Sequence, residues 1–168
     1  MVPGAPVAAI EMLPLAVAMR ESLWLYPIIE IIHIVGFVTL VGSVAMFDLR
    51  VLGLTRSIPV TALARHTLPW TLGALLLIVP TGLMMFTAHA GDLIGNRAFV
   101  IKMCLLALAG SNGVFFQVGP YQSVGRWDTG VTAPVAARLS ALLSLLLWIG
   151  VISCGRLLAY VGAAIHPL

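Results

Sequence analysis

Charge is what this chain has least of. Only 9% of its 168 residues are Asp, Glu, Lys or Arg, against 61% hydrophobic residues. A soluble domain needs roughly 25–35% charge on its surface, so a water-exposed fold is excluded. A mean hydropathy of +1.09 agrees that the solvent is lipid. The net charge of +3 is small and scattered over arginines from Arg20 to Arg138, which excludes nucleic-acid binding. Cysteine is nearly absent too. Cys104 and Cys154 form no CxxC or zinc-type spacing, and without a CxxCH covalent c-type haem attachment is excluded. Both fall inside apolar runs and read as small packing residues.

What is present is a set of long apolar runs. Residues 27–47, 68–88, 98–118 and 135–161 each reach the roughly 20 residues needed to cross a hydrocarbon core about 30 Å thick. None shows the period-2 alternation of a barrel strand, so the expected fold is an all-α integral membrane protein, a four-helix transmembrane bundle. The spans and their connections use the whole chain as a single transmembrane domain, and no separate soluble domain is expected. Residues 7–21 differ, being divided by Glu11 and Pro14 and closed by Arg20-Glu21-Ser22. They read as a short interfacial helix with Ile10, Leu13 and Val17 as its buried stripe. Ala109 with Gly113, Gly150 with Cys154, and Ala159 with Ala163 are small pairs at helical spacing that favour close helix approach, in a tight bundle or a homo-oligomer.

The arginines orient the chain. Arg50, Arg56 and Arg65 cluster around the first connection, and Arg126 and Arg138 around the third, which predicts that these face the cytoplasm and that both termini lie outside a bacterial inner membrane. Asp48 is expected to pair with Arg50, Arg56 or Arg65 and fix the first loop. Pro80 and Gly82 are expected to kink the second span.

The chemistry-bearing residues are the polar ones inside the spans, because a charge at the centre of a membrane helix costs about 2.5–3.5 kcal/mol on insertion scales. Glu30 and His33 share one helix face with Gly36, leaving a side-chain-poor surface beside an imidazole on which a porphyrin would fit. At about 1.5 Å per residue, His33 lies roughly 8–9 Å into its span, and Met84 and Met85 fall at comparable depth on the second helix. His89 lies nearer the edge. Either methionine or histidine is an acceptable second axial ligand of haem b, and His89 ranks first on chemistry. Lys102 and Arg156 are cations of the same leaflet. One is expected to pair with a buried Glu30, and the other to meet an anion such as a haem propionate or a quinone oxygen. The plainer readings are a Glu30–His33 hydrogen bond, a Lys102 that snorkels, and an interfacial His66. His166 is a tail residue. Met84, Met85, Met103 and Cys104 also offer soft donors for copper.

The segments Trp24-x-Tyr26-Pro27-x-x-Glu30-x-x-His33-x-x-Gly36, Asp48-Leu49-Arg50-x-Leu52-Gly53, Thr81-Gly82, and Asn96-x-x-Phe99-x-x-Lys102 with Asn112 resemble an uncharacterised family of small bacterial four-span membrane proteins. More distantly, the chain is similar to the CopD copper-resistance membrane domain and to HemJ-type haem membrane proteins. By that likeness His33 takes the haem-ligand position and Lys102 the lysine position. The function expected is a membrane b-type haem protein for electron transfer or redox chemistry, working with a quinone or a partner subunit. The alternatives are copper or small-solute transport, and a non-catalytic anchor subunit.

Overall fold

A computed structural model describes residues 4–165, with side chains at residue 4 and from 6 to 160. The described residues form helices α1 (Ala5–Glu11), α2 (Pro14–Glu21), α3 (Leu25–Leu52), α4 (Val60–Ala88), α5 (Ala90–Ile94), α6 (Arg97–Val118) and α7 (Val135–Ile165), with a 3₁₀ segment at Pro120–Arg126 and no strand. Four of these, α3, α4, α6 and α7, are long and apolar enough to cross a membrane.

The helices outrun the apolar stretches that announce them. α3 continues past residue 47 and takes in Asp48 and Arg50, while α4 starts at Val60 and takes in Arg65 and His66. Hydropathy marks the apolar middle of a helix, whereas backbone hydrogen bonding carries the same helix on through the polar residues that follow. Pro80 and Gly82 lie within one continuous α4. The N-terminal segment is two helices, not one, because Pro14 ends the first and occupies the first position of the second. Its buried residues are Ala16 and Met19, whereas Leu13 of the expected stripe is 47% exposed.

Two compact units divide the chain, one holding residues up to Leu40 with Trp70–Arg97, the other Val41–Pro69 with the residues from Ala98 onward. In the first, α1 and α2 close the junction between α4 and α5. The Glu11 carboxylate accepts the Gly91 amide at 2.7 Å, at the N-terminus of α5. Arg20 donates to the Ala88 carbonyl that ends α4 (3.1 Å) and to the Glu11 carbonyl (2.6 Å). Gly36 is buried where α3 meets α4; a Cβ there would lie 3.0 Å from Ile78 Cγ1 and 3.3 Å from Leu77 Cβ.

In the second unit the core gathers Val51, Val60, Phe116, Trp127, Ala133, Ala137 and Ala141. Phe116 meets Phe47 edge to face, with ring centroids 5.5 Å apart. The buried face of α7 runs Ala137, Ser140, Ala141, Ser144, Leu147, Val151 and Cys154, a three-and-four spacing dominated by small side chains that admit close neighbours. Gly150 admits Leu105, whose Cδ1 would lie 3.0 Å from an added Cβ, but Gly113 faces open space. Its pairing with Ala109 therefore makes no close approach.

The connections of this unit are held by Asp128 and Arg50. Asp128 caps α4 from outside, accepting the Thr61 amide at 2.8 Å and the Thr61 hydroxyl at 3.0 Å, while its own carbonyl accepts the Val60 amide. Arg50, only 3% exposed, donates to the carbonyls of Ile58, Arg56 and Asp128. The end of α3 is a Schellman turn: Leu54 N–H reaches Leu49 O and Gly53 N–H reaches Arg50 O, with Gly53 at a φ of +113°. Losing the remote cap in Asp128→Ala should cost about 1–2 kcal/mol. Thermal unfolding in detergent should show a clear drop for this variant and little change for Glu21→Gln.

Candidate functional site

His33 sits on α3, half-buried, and its imidazole reaches across to α4. Nδ1 lies 2.9 Å from Thr81 Oγ1. Thr81 is itself buried, and its hydroxyl donates to the Leu77 carbonyl at 2.6 Å. A hydroxyl has one proton to give, so in the neutral ring Nδ1–H donates to Thr81 and Nε2 carries the lone pair; this tautomer follows from the hydrogen-bond network. Gly82, the next residue, makes room for the ring. A Cβ there would lie 3.1 Å from His33 Cε1.

The Thr81-Gly82 dipeptide and His33 thus form one unit, with Gly36, a turn further along α3, allowing the two helices close enough for the hydrogen bond to span them. The acceptor that holds Nδ1 is Thr81 rather than Glu30, the expected candidate. The same packing removes the open surface expected at Gly36, because Ala74, Leu77 and Ile78 fill it.

Glu30 is exposed on α3. His89 is exposed as well, standing between α4 and α5 with its ring 5.6 Å from Tyr26 in an edge-on contact. Met84 and Met85 are half-buried on α4. Helix rise separates Thr81 from His89 by about 12 Å and from Met85 by about 6 Å, so Met85 is nearer the level of His33.

Lys102 and Arg156 belong to the second unit. Lys102 turns toward α7 instead of snorkelling to the helix end. Its Nζ would lie 3.9 Å from a Cβ at Gly155, and Cys154 is close enough to interact with it electrostatically. Arg156 is exposed, as is His66, and His166 lies outside the described residues. Asp48 does not take its charge partner from the loop: it meets the Ser144 hydroxyl, and Arg50 is committed to backbone carbonyls. Among the described residues, no group of three or more His, Cys, Asp and Glu is arranged to hold a metal ion.

Four long apolar helices with polar side chains set between them define a multi-pass membrane protein. Residues 25–161 match the model of a family of unknown function, DUF6644, and the chain belongs to that family. No curated protein matches it, and no solved structure does.

The His33–Gly82 contact generates a test of the site. In Gly82→Ala the new methyl must push the imidazole away from Thr81, at a cost of about 1–3 kcal/mol typical of overpacking. The same change in a His33→Ala background should cost much less, and a double-mutant cycle of thermal stabilities in detergent measures the difference.

Proposed function

We propose that this protein is a membrane b-type haem protein in which His33 ligates the iron through Nε2, exchanging electrons with a membrane carrier such as a quinone or with a partner subunit. The observation that carries this reading is the Nδ1 hydrogen bond to Thr81. Ligating histidines are characteristically held through their other nitrogen by a neighbouring acceptor, which fixes both tautomer and ring orientation. The donor chemistry therefore fits an axial ligand. Haem also suits a single histidine, because the porphyrin fills four coordination positions itself and one or two protein ligands suffice.

Haem, when bound, supplies one-electron redox chemistry. His33 would hold the iron through Nε2, Thr81 would keep the proton off that nitrogen by accepting from Nδ1, and Gly82 makes room for the ring beside Thr81. Met85 is the favoured second ligand on level and His89 on chemistry. The distant likeness to HemJ-type proteins supports the same position for His33. In orientation, the proposal puts the Arg56 connection in the cytoplasm and both termini outside a bacterial inner membrane.

Reduced-minus-oxidised absorption spectra of the protein purified after haem supply, with metal analysis on the same sample, decide between haem and copper. A Soret band is expected that His33→Ala removes or strongly alters, and that Thr81→Val retains with haem affinity lowered about 10–100-fold. No Soret band, or an unchanged spectrum in His33→Ala, sinks the proposal. Met85→Leu and His89→Ala identify the opposite ligand.

Orientation has its own check. Single cysteines introduced at Ser57 and Gly91, in a background lacking Cys104 and Cys154, should label from opposite sides of the membrane, Ser57 from the cytoplasm.

A further inference from the structure

Asp48 is 6% exposed inside a membrane-spanning helix, and its Oδ2 is buried without a hydrogen-bond partner. Among the described residues, the polar contact of the carboxyl group is the hydroxyl of Ser144 on α7. The cation nearest in sequence does not serve it, because the Arg50 guanidinium is held by the carbonyls of Ile58, Arg56 and Asp128. One turn from Ser144 along the buried face of α7, Ser140 donates to Asn112 Oδ1 at 2.9 Å, and Asn112 Nδ2 donates back to the Ser140 carbonyl at 3.0 Å. The polar group that meets Asp48 is thus a hydroxyl, and the Ser140–Asn112 pair next along α7 is satisfied within itself. An orphaned carboxyl oxygen in such a place marks a partner that the protein does not itself provide.

We propose that Asp48 Oδ2 and the Ser144 hydroxyl form an intramembrane site for a small monovalent cation, a hydrated proton or Na⁺. The charge of the ligand follows from the single carboxylate. One acid neutralises one positive charge, and a divalent ion would keep an uncompensated charge in low dielectric. The ligand's hardness follows from the two oxygen donors, the Asp48 carboxyl and the Ser144 hydroxyl, which suit a proton or an alkali ion and not a soft metal. Binding makes no covalent change beyond a proton moving from water to Oδ2 and back. This site uses none of the groups assigned to haem.

Infrared difference spectroscopy of the full chain in lipid nanodiscs tests it. One arm varies pH in a choline buffer without Na⁺, and the other adds NaCl at fixed pH against choline chloride. A carboxyl band is expected to respond in at least one arm; response to pH alone identifies the proton, and response to NaCl identifies Na⁺. The band should vanish in Asp48→Asn and persist in Asp92→Asn. Ser144→Ala keeps the carboxylate and removes only a hydroxyl, so it should fold and should move the response midpoint about tenfold in cation concentration, the effect of one hydrogen bond to a charged group. A carboxyl response left unchanged by Asp48→Asn, no response in either arm, or an unmoved midpoint in Ser144→Ala overturns the proposal.

Discussion

The capping of α4 is the constraint on which much else depends. A helix leaves unpaired N–H groups at its start and unpaired carbonyls at its end, and near a membrane those groups compete for little water. In α4 both ends are closed by side chains from remote parts of the chain. Asp128 closes the start, 67 residues from Thr61 in sequence, and Arg20 closes the end, 68 residues from Ala88. The Asp128 carbonyl also receives Arg50, so the end of α3, the start of α4 and the turn before α7 share one node of charge-assisted hydrogen bonds. Within lipid, apolar side chains gain little by leaving hydrocarbon for one another, which leaves polar contacts and close packing to select partners.

Close packing appears where glycine or small residues permit it, and at Gly36 and Gly82 it has a chemical consequence. The hydrogen bond from His33 to Thr81 requires the α3 and α4 backbones to approach closely. Gly36 allows the approach, and Gly82 leaves space for the ring at its end. A threonine in a helix ordinarily returns its hydroxyl proton to a carbonyl a turn earlier. Here that habit makes Thr81 an acceptor, and its acceptor lone pair selects the histidine tautomer.

The sequence made the four long helices legible because lipid imposes length and apolarity, and these survive any arrangement of the helices. His33 stood out for the same reason, as a polar residue in an apolar run. Its partner was marked only by the Thr81-Gly82 resemblance, since nothing in the chemistry of Thr81 separates it from Thr39 or Thr67, which also return their hydroxyls to carbonyls in their own helices. Glu11 and Arg20 were visible as interruptions of an apolar stretch, but their roles as caps depend on contacts to residues about 70–80 positions away. Hydropathy alone does not mark where the helices end, because α3 and α4 run on through Asp48, Arg50 and Arg65.

The separate fates of Asp48 and Arg50 show where a local reading of charge fails and also how it can be corrected. Opposite charges two residues apart in a loop are natural partners, and the Asp48-Leu49-Arg50 segment invites that pairing. Once the segment is helical the pairing is poor, because residues at i and i+2 point to nearly opposite sides. Each must then find its own surroundings. Arg50, near the helix end, turns to the carbonyls of the connection, which a fork of guanidinium donors suits. Asp48 is carried to the face that meets α7, where the nearest polar group is a serine hydroxyl with no charge to offer. Among the described residues, the Asp48 carboxyl thus meets a hydroxyl and no cation, because the helix runs on past the apolar run.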